Sequence, residues 1–161
     1  MNEQEFIKWR SALDEWCLFF DGASKWNPGQ ARGGGIIFEP SGKLHLSYAW
    51  GLGHTSNNHA EYLALWQGLN QAGKLNIQKL TILGDSRLIV KALHTKKVPT
   101  DIKLAQTHRK VLLLLLQFRN YKVYHVLRNL NSIADAEANR GTLLSKNQLV
   151  VNGETSYQSF P

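Results

Sequence analysis

Four acidic residues lie beside breaks in the hydrophobic pattern of this 161-residue sequence, namely Asp21, Glu61, Asp85 and Asp135. Carboxylates are hard oxygen ligands suited to magnesium or manganese, and no Cys and His cluster at zinc spacing competes with them. Crowded carboxylates repel one another unless a divalent cation neutralises them. If the four segments converge, the sequence predicts a metal site, and a pair of ions about 3.5–4 Å apart is suited to phosphodiester cleavage.

Each acid also has a local explanation that requires no chemistry. Asp21 precedes a glycine at the end of a predicted strand and could belong to a turn. Asp85 could cap the helix SRLIVKAL, and Asp135 fits a capping box that begins at Ser132. These explanations remain open for each residue taken alone.

Glu61 is harder to explain locally. A position near the start of a helix suits an acid, yet Glu61 shares a helix face with Leu65 and Leu69, and a lone charge is costly to bury. Two acids thus end predicted strands and two begin predicted helices, and such ends can meet at one edge of a sheet. One common site explains the four more economically than four separate roles.

Hydrophobic periodicity predicts the elements that must position these residues. Three antiparallel strands precede alternating helices and strands, which indicates an α/β fold with a mixed sheet and helices packed on its faces. The predicted strands are 16–20, 36–40, 43–51, 78–84 and 121–127, and the predicted helices are 2–14, 57–73, 86–95, 101–119 and 131–144.

Length and composition predict one main domain, residues 16–144, with a helical extension at 1–15 and a tail at 145–161. The tail contains an Asn-Gly pair in LVVNGETSY, which could close a hairpin, and disorder is the alternative. Cys17 lies in the apolar run WCLFF, which favours a buried, reduced thiol. The sequence has no membrane-length apolar run and no signal peptide pattern, so we expect a cytoplasmic protein.

Positive charge is concentrated in one part of the chain. The net charge is +7, and residues 86–130 contain ten Lys and Arg but a single acid, Asp101. Such a surface attracts nucleic acid backbones, because each neutralised phosphate releases counterions. A solvated helix face is the alternative interpretation.

The order of the four acids and the sequence motifs around them resemble those of type 1 ribonuclease H over residues 16–143. The resemblance rests on DGASKWNPGQARGGGIIF, TSNNHAEYLAL, GDSRLIV and HVLRNLNSIADAEAN. It implies a ribonuclease H-like fold, with a five-stranded mixed sheet (strands 1–3 antiparallel, 4 and 5 parallel) and helices on both faces. It also implies hydrolysis of the RNA strand of RNA/DNA hybrids, leaving 5′-phosphate and 3′-hydroxyl ends. The four acids would hold two Mg²⁺ ions, with Mn²⁺ as the alternative.

The same resemblance implies roles for residues around the acids. His125, ten residues before Asp135, matches a histidine that assists proton movement or product departure, although a packed histidine at a strand end is the alternative. Contacts with the hybrid are implied at further positions, with turn chemistry or solvation as the alternative at several of them. These positions are Asn27, Ser56, Asn57, Asn58 and Arg87, with Thr55 as an alternative to Ser56.

Only 49 residues separate Asp85 from Asp135, too few for the basic protrusion that some family members use as a substrate handle. Arg87 and Lys91 on one helix face, and Lys103 and Lys110 on another, could replace it or could be solvated. We expect a monomer whose partner is an RNA/DNA hybrid. Two other hypotheses remain: a binding module of the same fold with weak or no catalysis, and a related nuclease acting on branched DNA.

Overall fold

Seven strands and five helices form within residues 2–140 and 144–161, the part of the chain that the computed structural model describes. A 3₁₀ turn spans Arg128–Asn131. The strands are β1 Trp16–Ser24, β2 Gly29–Phe38, β3 Leu44–Thr55, β4 Lys79–Gly84, β5 Asn120–His125, β6 Gln148–Val151 and β7 Glu154–Tyr157. The helices are α1 Glu3–Ser11, α2 Asn57–Gly73, α3 Arg87–Thr95, α4 Ile102–Leu115 and α5 Ser132–Arg140.

All seven strands belong to one mixed sheet in the order β5-β4-β1-β2-β3-β6-β7. Strands β1, β2 and β3 pair antiparallel, while β1, β4 and β5 pair parallel, as predicted. The predicted number of strands is wrong, because the C-terminal segment adds β6 and β7 to the free edge of β3. The α/β fold class itself is confirmed, with helices on both faces.

Two adjacent glycines of β2 show how the helices reach both faces of the sheet. Successive strand residues point to opposite faces. A Cβ on Gly33 would lie 3.1 Å from the Cβ of Ala64 in α2, and a Cβ on Gly34 would overlap the backbone around Ala138 in α5. The run GGG precedes the predicted strand 36–40 but belongs to β2, and its glycines leave room for the two helices to approach the sheet.

The face covered by α2, α3 and α4 carries the larger core, which includes Tyr48, Leu69 and Val111. The opposite face carries a smaller core that contains Phe19 and Cys17, so the predicted burial of the thiol is confirmed. Helix α1 closes this second face.

The C-terminal segment folds into the hairpin that its Asn-Gly pair allows. Asn152 and Gly153 have φ values of 49° and 83°, and the Asn152 side chain accepts a hydrogen bond from the Ser47 amide at 2.9 Å. Beyond β7, the Trp50 indole donates to the Gln158 carbonyl at 3.0 Å, and Phe160 packs edge to face on Trp66 with 5.2 Å between ring centroids. This arrangement excludes the disordered alternative for the described tail.

Several predicted boundaries differ from the observed ones. Strand β1 continues to Ser24 rather than ending at residue 20, and α4 ends at Leu115, four residues before the predicted end. Helix α5 is described as Ser132–Arg140, and residues 141–143 of its predicted span lie outside the described residues. No helix within the described ranges has both the length and the apolar character needed to cross a membrane.

Candidate active site

Three of the four predicted acids meet at one edge of the sheet. Oxygen atoms of Asp21 in β1, Glu61 in α2 and Asp85 after β4 all lie within 4.8 Å of one another. Asp135, in the first turn of α5, falls outside that group, but it lies near enough for its carboxylate to help raise the pKa of Asp21. Segments that are far apart in the sequence thus bring three carboxylates together, with the fourth nearby.

A close backbone approach brings Asp21 to Glu61. Gly22 has no room for a side chain, because a Cβ there would overlap the carbonyl oxygen of Ala60 at the start of α2. Asp21 itself pairs with Gly34 inside β1, so the turn explanation for this acid is wrong. Its side chain leaves a continuous strand directly beneath the first turns of α2.

The capping explanation for Asp85 is also wrong, because the next residue takes that role. Ser86 is the N-cap of α3, and its hydroxyl accepts a hydrogen bond from the Ile89 amide at 3.4 Å. Asp85 instead turns toward the other acids and accepts a long bond, 3.4 Å, from the Asn131 amide group. Its carboxylate is thus available for the shared cluster.

Burial and crowding raise the pKa of two of these acids, Asp21 and Glu61. Burial, and then the nearby Asp85 and Asp135 carboxylates, raise the pKa of Asp21 to about 7. Burial and Asp21 hold the pKa of Glu61 well above its usual range. The Glu61 Oε2 atom is inaccessible to solvent and has no hydrogen-bond partner among the described residues. Because an orphaned buried carboxylate oxygen beside other carboxylates is costly, this donor set suits a divalent cation.

A cleft of about 270 Å³ opens over Asp21, Glu61 and Asp85. Its wall includes Asn57 of α2 and Arg128 of the 3₁₀ turn. Behind it, Asn131 is buried and donates to the Phe20 carbonyl at 2.9 Å as well as to Asp85. The sequence did not lead us to predict Arg128 and Asn131 as site residues. The signal that could have indicated them is their position in RNLN, directly before the helix that carries Asp135.

Two of the predicted substrate residues tie the β1–β2 turn to α2. The Asn57 side chain accepts a bond from the Ser24 amide at 2.8 Å, and the Asn57 amide donates to the Asn27 side chain at 3.1 Å. These hydrogen bonds occupy the side-chain oxygen of each asparagine. The side-chain amide groups of Asn27 and Asn57 remain as donors for a ligand.

A second cleft, of about 560 Å³, lies on the other side of this turn. It contains the other predicted substrate residues of TSNN, which are Ser56, Asn58 and the alternative, Thr55. The Ser56 hydroxyl caps α2 by accepting from the His59 amide at 3.2 Å, and Thr55 hydrogen-bonds the His59 ring at 2.8 Å. Lys103 adds a cation and Asp101 an anion to the same wall.

The predicted His125 and Arg87 lie near the acids in the chain, but their side chains are not part of the cleft lining described above. His125 is the last residue of β5 and is paired in register with Gly84, the residue before Asp85. It is half-buried, while Arg87 is exposed at the first position of α3. Both roles therefore remain predictions.

The lysines proposed to replace a basic protrusion separate into three places. Lys103 lines the second cleft, whereas Lys91 borders an apolar groove of about 440 Å³ between α3 and the start of α4. Lys110 lies over the ring of Phe160, with 5.5 Å from Nζ to the centroid. Of these three, Lys103 is the one that borders the predicted substrate residues.

Comparison of the sequence with known proteins identifies one matching family, described as reverse transcriptase-like, over residues 19–141. Ribonuclease HI of Halobacterium salinarum is 34% identical over 121 residues, which cover 75% of this chain and 61% of that protein. Bifunctional protein Rv2228c of Mycobacterium tuberculosis is 32% identical over 120 residues, which cover 74% of this chain and 33% of that protein. The matched region thus spans less than two thirds of either relative.

Solved structures match over a similar part of the chain. RNase H1 of Halobacterium salinarum gives a TM-score of 0.75 at 32% identity, covering 78% of this chain and 96% of that one. The N-terminal RNase H domain of Rv2228c from Mycobacterium tuberculosis gives 0.76 at 29% identity, covering 79% and 92%. LC11-RNase H1, solved in complex with an RNA/DNA hybrid, gives 0.75 at 24% identity, covering 80% and 96%, a likeness of fold alone.

Proposed function

The chain belongs to the reverse transcriptase-like family and has a ribonuclease H fold, and from this premise we propose that it is a metal-dependent endoribonuclease that hydrolyses the RNA strand of RNA/DNA hybrids. The carrying observation is the cluster of Asp21, Glu61 and Asp85, whose oxygens lie within 4.8 Å of one another. The identity to Ribonuclease HI over most of the chain supports the same activity.

Asp21, Glu61, Asp85 and Asp135 would hold the divalent cations, two Mg²⁺ ions in the proposed form. The fit rests on the unpartnered Glu61 Oε2 and on the raised pKa values of Asp21 and Glu61. When bound, such ions activate an attacking water and stabilise the departing oxygen of the phosphodiester. Cleavage of the P–O3′ bond would leave 5′-phosphate and 3′-hydroxyl ends.

The chain's own residues would orient the substrate and move protons. Asn27, Asn57 and Asn58 offer short amide donors, which suit the 2′-hydroxyls of the wide minor groove of an A-form-like duplex. Ser56 and Lys103 offer a hydroxyl and a cation to a backbone phosphate in the second cleft. His125, at the end of the strand beside Asp85, would accept or return a proton near the scissile bond.

The test is cleavage of a labelled RNA/DNA hybrid by the purified protein in Mg²⁺ and in Mn²⁺. We expect Asp21→Asn and Asp85→Asn to lower the cleavage rate by about 10³-fold, which is the size of effect seen when one electrostatic group of an active site is removed. Hybrid binding should persist in both variants. Glu154→Gln is the matched control, because Glu154 is an exposed acid on β7, and it should retain full activity.

Full activity in both aspartate variants would overturn the proposal. Binding of the hybrid without cleavage in either metal would instead favour the binding module. A parallel set of substrates, comprising hybrid, double-stranded RNA and branched DNA, distinguishes related nucleases, since preference for branched DNA contradicts a ribonuclease H. Treatment of the products with phosphatase tests which bond breaks, because cleavage of the P–O3′ bond leaves a removable phosphate at the 5′ end.

A further inference from the structure

Trp26 is the most exposed of the five tryptophans. It is 72% exposed, whereas Trp50 and Trp66 are buried and Trp9 and Trp16 are half-buried. Single exposed aromatic residues are common on protein surfaces, so exposure alone indicates no function. The position of Trp26 in the fold is the informative feature.

The turn that carries Trp26 is held firmly by hydrogen bonds. The Lys25 amide donates to the Gln30 carbonyl at 2.9 Å, and the Ser24 hydroxyl donates to the Trp26 carbonyl. Gly29 packs against the Trp26 backbone so closely that a Cβ there would lie 2.6–2.8 Å from Trp26 atoms. The backbone of so constrained a turn loses little conformational entropy when Trp26 meets a ligand.

Along the chain, Trp26 lies between residues that line the two clefts of the candidate active site. Ala23, on one side of it in the chain, lines the cleft over the acids, and Pro28, on the other side, lines the second cleft. The bonds from Asn57 to Ser24 and to Asn27 fix this ridge against the start of α2. The turn is therefore a ridge with a polar cleft on each flank.

A hybrid that presents one backbone to the acids and the other to the second cleft must place the groove between its strands over this ridge. In A-form-like duplexes the minor groove is wide and shallow and displays sugars and base edges. Asn27 and Asn57, next to Trp26, offer amide donors of the kind that this groove accepts. The flat apolar indole would cover the sugars beside them, and the exposed Lys25 would add a cation toward the phosphates.

We propose that Trp26 is a substrate-binding residue whose indole lies in the minor groove of the RNA/DNA hybrid, against its sugars and base edges. The inference rests on the proposed function for its substrate. It gives this chain, which lacks a basic protrusion, a grip that comes from apolar contact rather than from charge. The contact is made equally with the ground state and the transition state, so it should affect binding and KM rather than kcat.

The first test measures the Kd of a labelled hybrid in Mg²⁺ with all variants in the Asp21→Asn background. We expect Trp26→Ala to raise the Kd about five-fold or more, the low end of what aromatic contact with a base is worth, and Trp26→Phe to raise it less. Tyr157→Ala is the matched control, because Tyr157 is 73% exposed on β7, outside both clefts, and should leave the Kd unchanged. An unchanged Kd in Trp26→Ala, or an equal rise in Tyr157→Ala, would overturn the inference.

The second test uses the fluorescence of the tryptophans themselves. Adding hybrid should quench the parent protein, and Trp26→Phe should abolish most of that quenching, whereas quenching that persists in Trp26→Phe contradicts the contact. In the active protein, Trp26→Ala should raise KM with kcat within about two-fold. Binding without cleavage by the unmodified chain would refute the proposed activity but leave the Trp26 contact testable, so the two failures are distinguishable.

Discussion

The helix cap supplied by Ser86 leaves the Asp85 side chain without a capping role. A serine cap satisfies the start of α3, so the carboxylate one residue earlier turns to the acid cluster instead of to helix amides. Ser56 does the same at the start of α2, which leaves Glu61 a full turn inside the helix. At both helices a serine hydroxyl caps the helix, and a nearby carboxylate remains available for the proposed metal site.

The crowding of the acids predicts how Asp21 changes stability with pH in metal-free buffer. Its pKa is about 7 in the folded chain, compared with the ordinary value of 3.8, chiefly because of burial. The folded state therefore holds a proton that the unfolded state has lost between these values. The stabilisation is full below the unfolded pKa and is lost as the pH rises through the folded pKa.

We expect Asp21→Asn to melt at a higher temperature than the parent protein in EDTA at about pH 8, by roughly 2–4 °C for each kcal/mol recovered. The two should converge as the pH falls below 3.8, the ordinary pKa of an aspartate, because Asp21 is then protonated in both states. Thermal melts across this range test the prediction, with Glu154→Gln as the control. A difference that does not change with pH would contradict it, and Mg²⁺ should raise the melting temperature of the parent more than that of the variant.

At the scale of elements, local signals predicted much of the fold but not its exceptions. The hydrophobic pattern predicted β4 and β5, and Asn152-Gly153 predicted the hairpin turn. The docking of that hairpin on β3 depends on the long-range bond from Ser47 to Asn152, for which the sequence carries no local signal. The strand through GGG was missed because glycine has a low strand propensity. These glycines instead leave room for two helices that pack on the sheet.

The same limit applies to the candidate site. The order of the acids, together with their motifs, was readable because each acid has a distinctive local setting. Asn131 was not predicted, since its importance arises from a buried amide that reaches both Phe20 and Asp85. Residues whose role depends on contacts over a hundred positions apart leave little trace in local sequence.

The last residues of the chain should contribute to stability as an element of the fold. Phe160 is half-buried between Trp66 and the Lys110 ammonium group. We expect Phe160→Ala to lower the free energy of unfolding by about 1–3 kcal/mol, less than for a fully buried phenylalanine. Urea denaturation measures this, with Tyr157→Ala in the same hairpin as the exposed control, and equal effects of the two variants would contradict a packed tail.

For the whole molecule, the net charge of +7 matters through where its cations lie. Lys103 lines the second cleft, at the end of β2 and β3 where Gly29 pairs with Thr55. Lys43 is an exposed cation in the loop that joins the opposite ends of these strands. A phosphate contact depends on position, whereas general attraction depends only on total charge, so these two lysines distinguish the two effects.

Hybrid affinity should fall with rising salt, and the slope of log Kd against log salt counts the phosphates neutralised. In the Asp21→Asn background, we expect Lys103→Ala to reduce that slope by about one and to weaken binding to hybrids of every sequence alike. Lys43→Ala removes the same charge and should leave the slope unchanged. Equal slopes for the two variants would mean that the basic surface attracts nucleic acid only through its total charge. Such a result would contradict a phosphate contact in the second cleft.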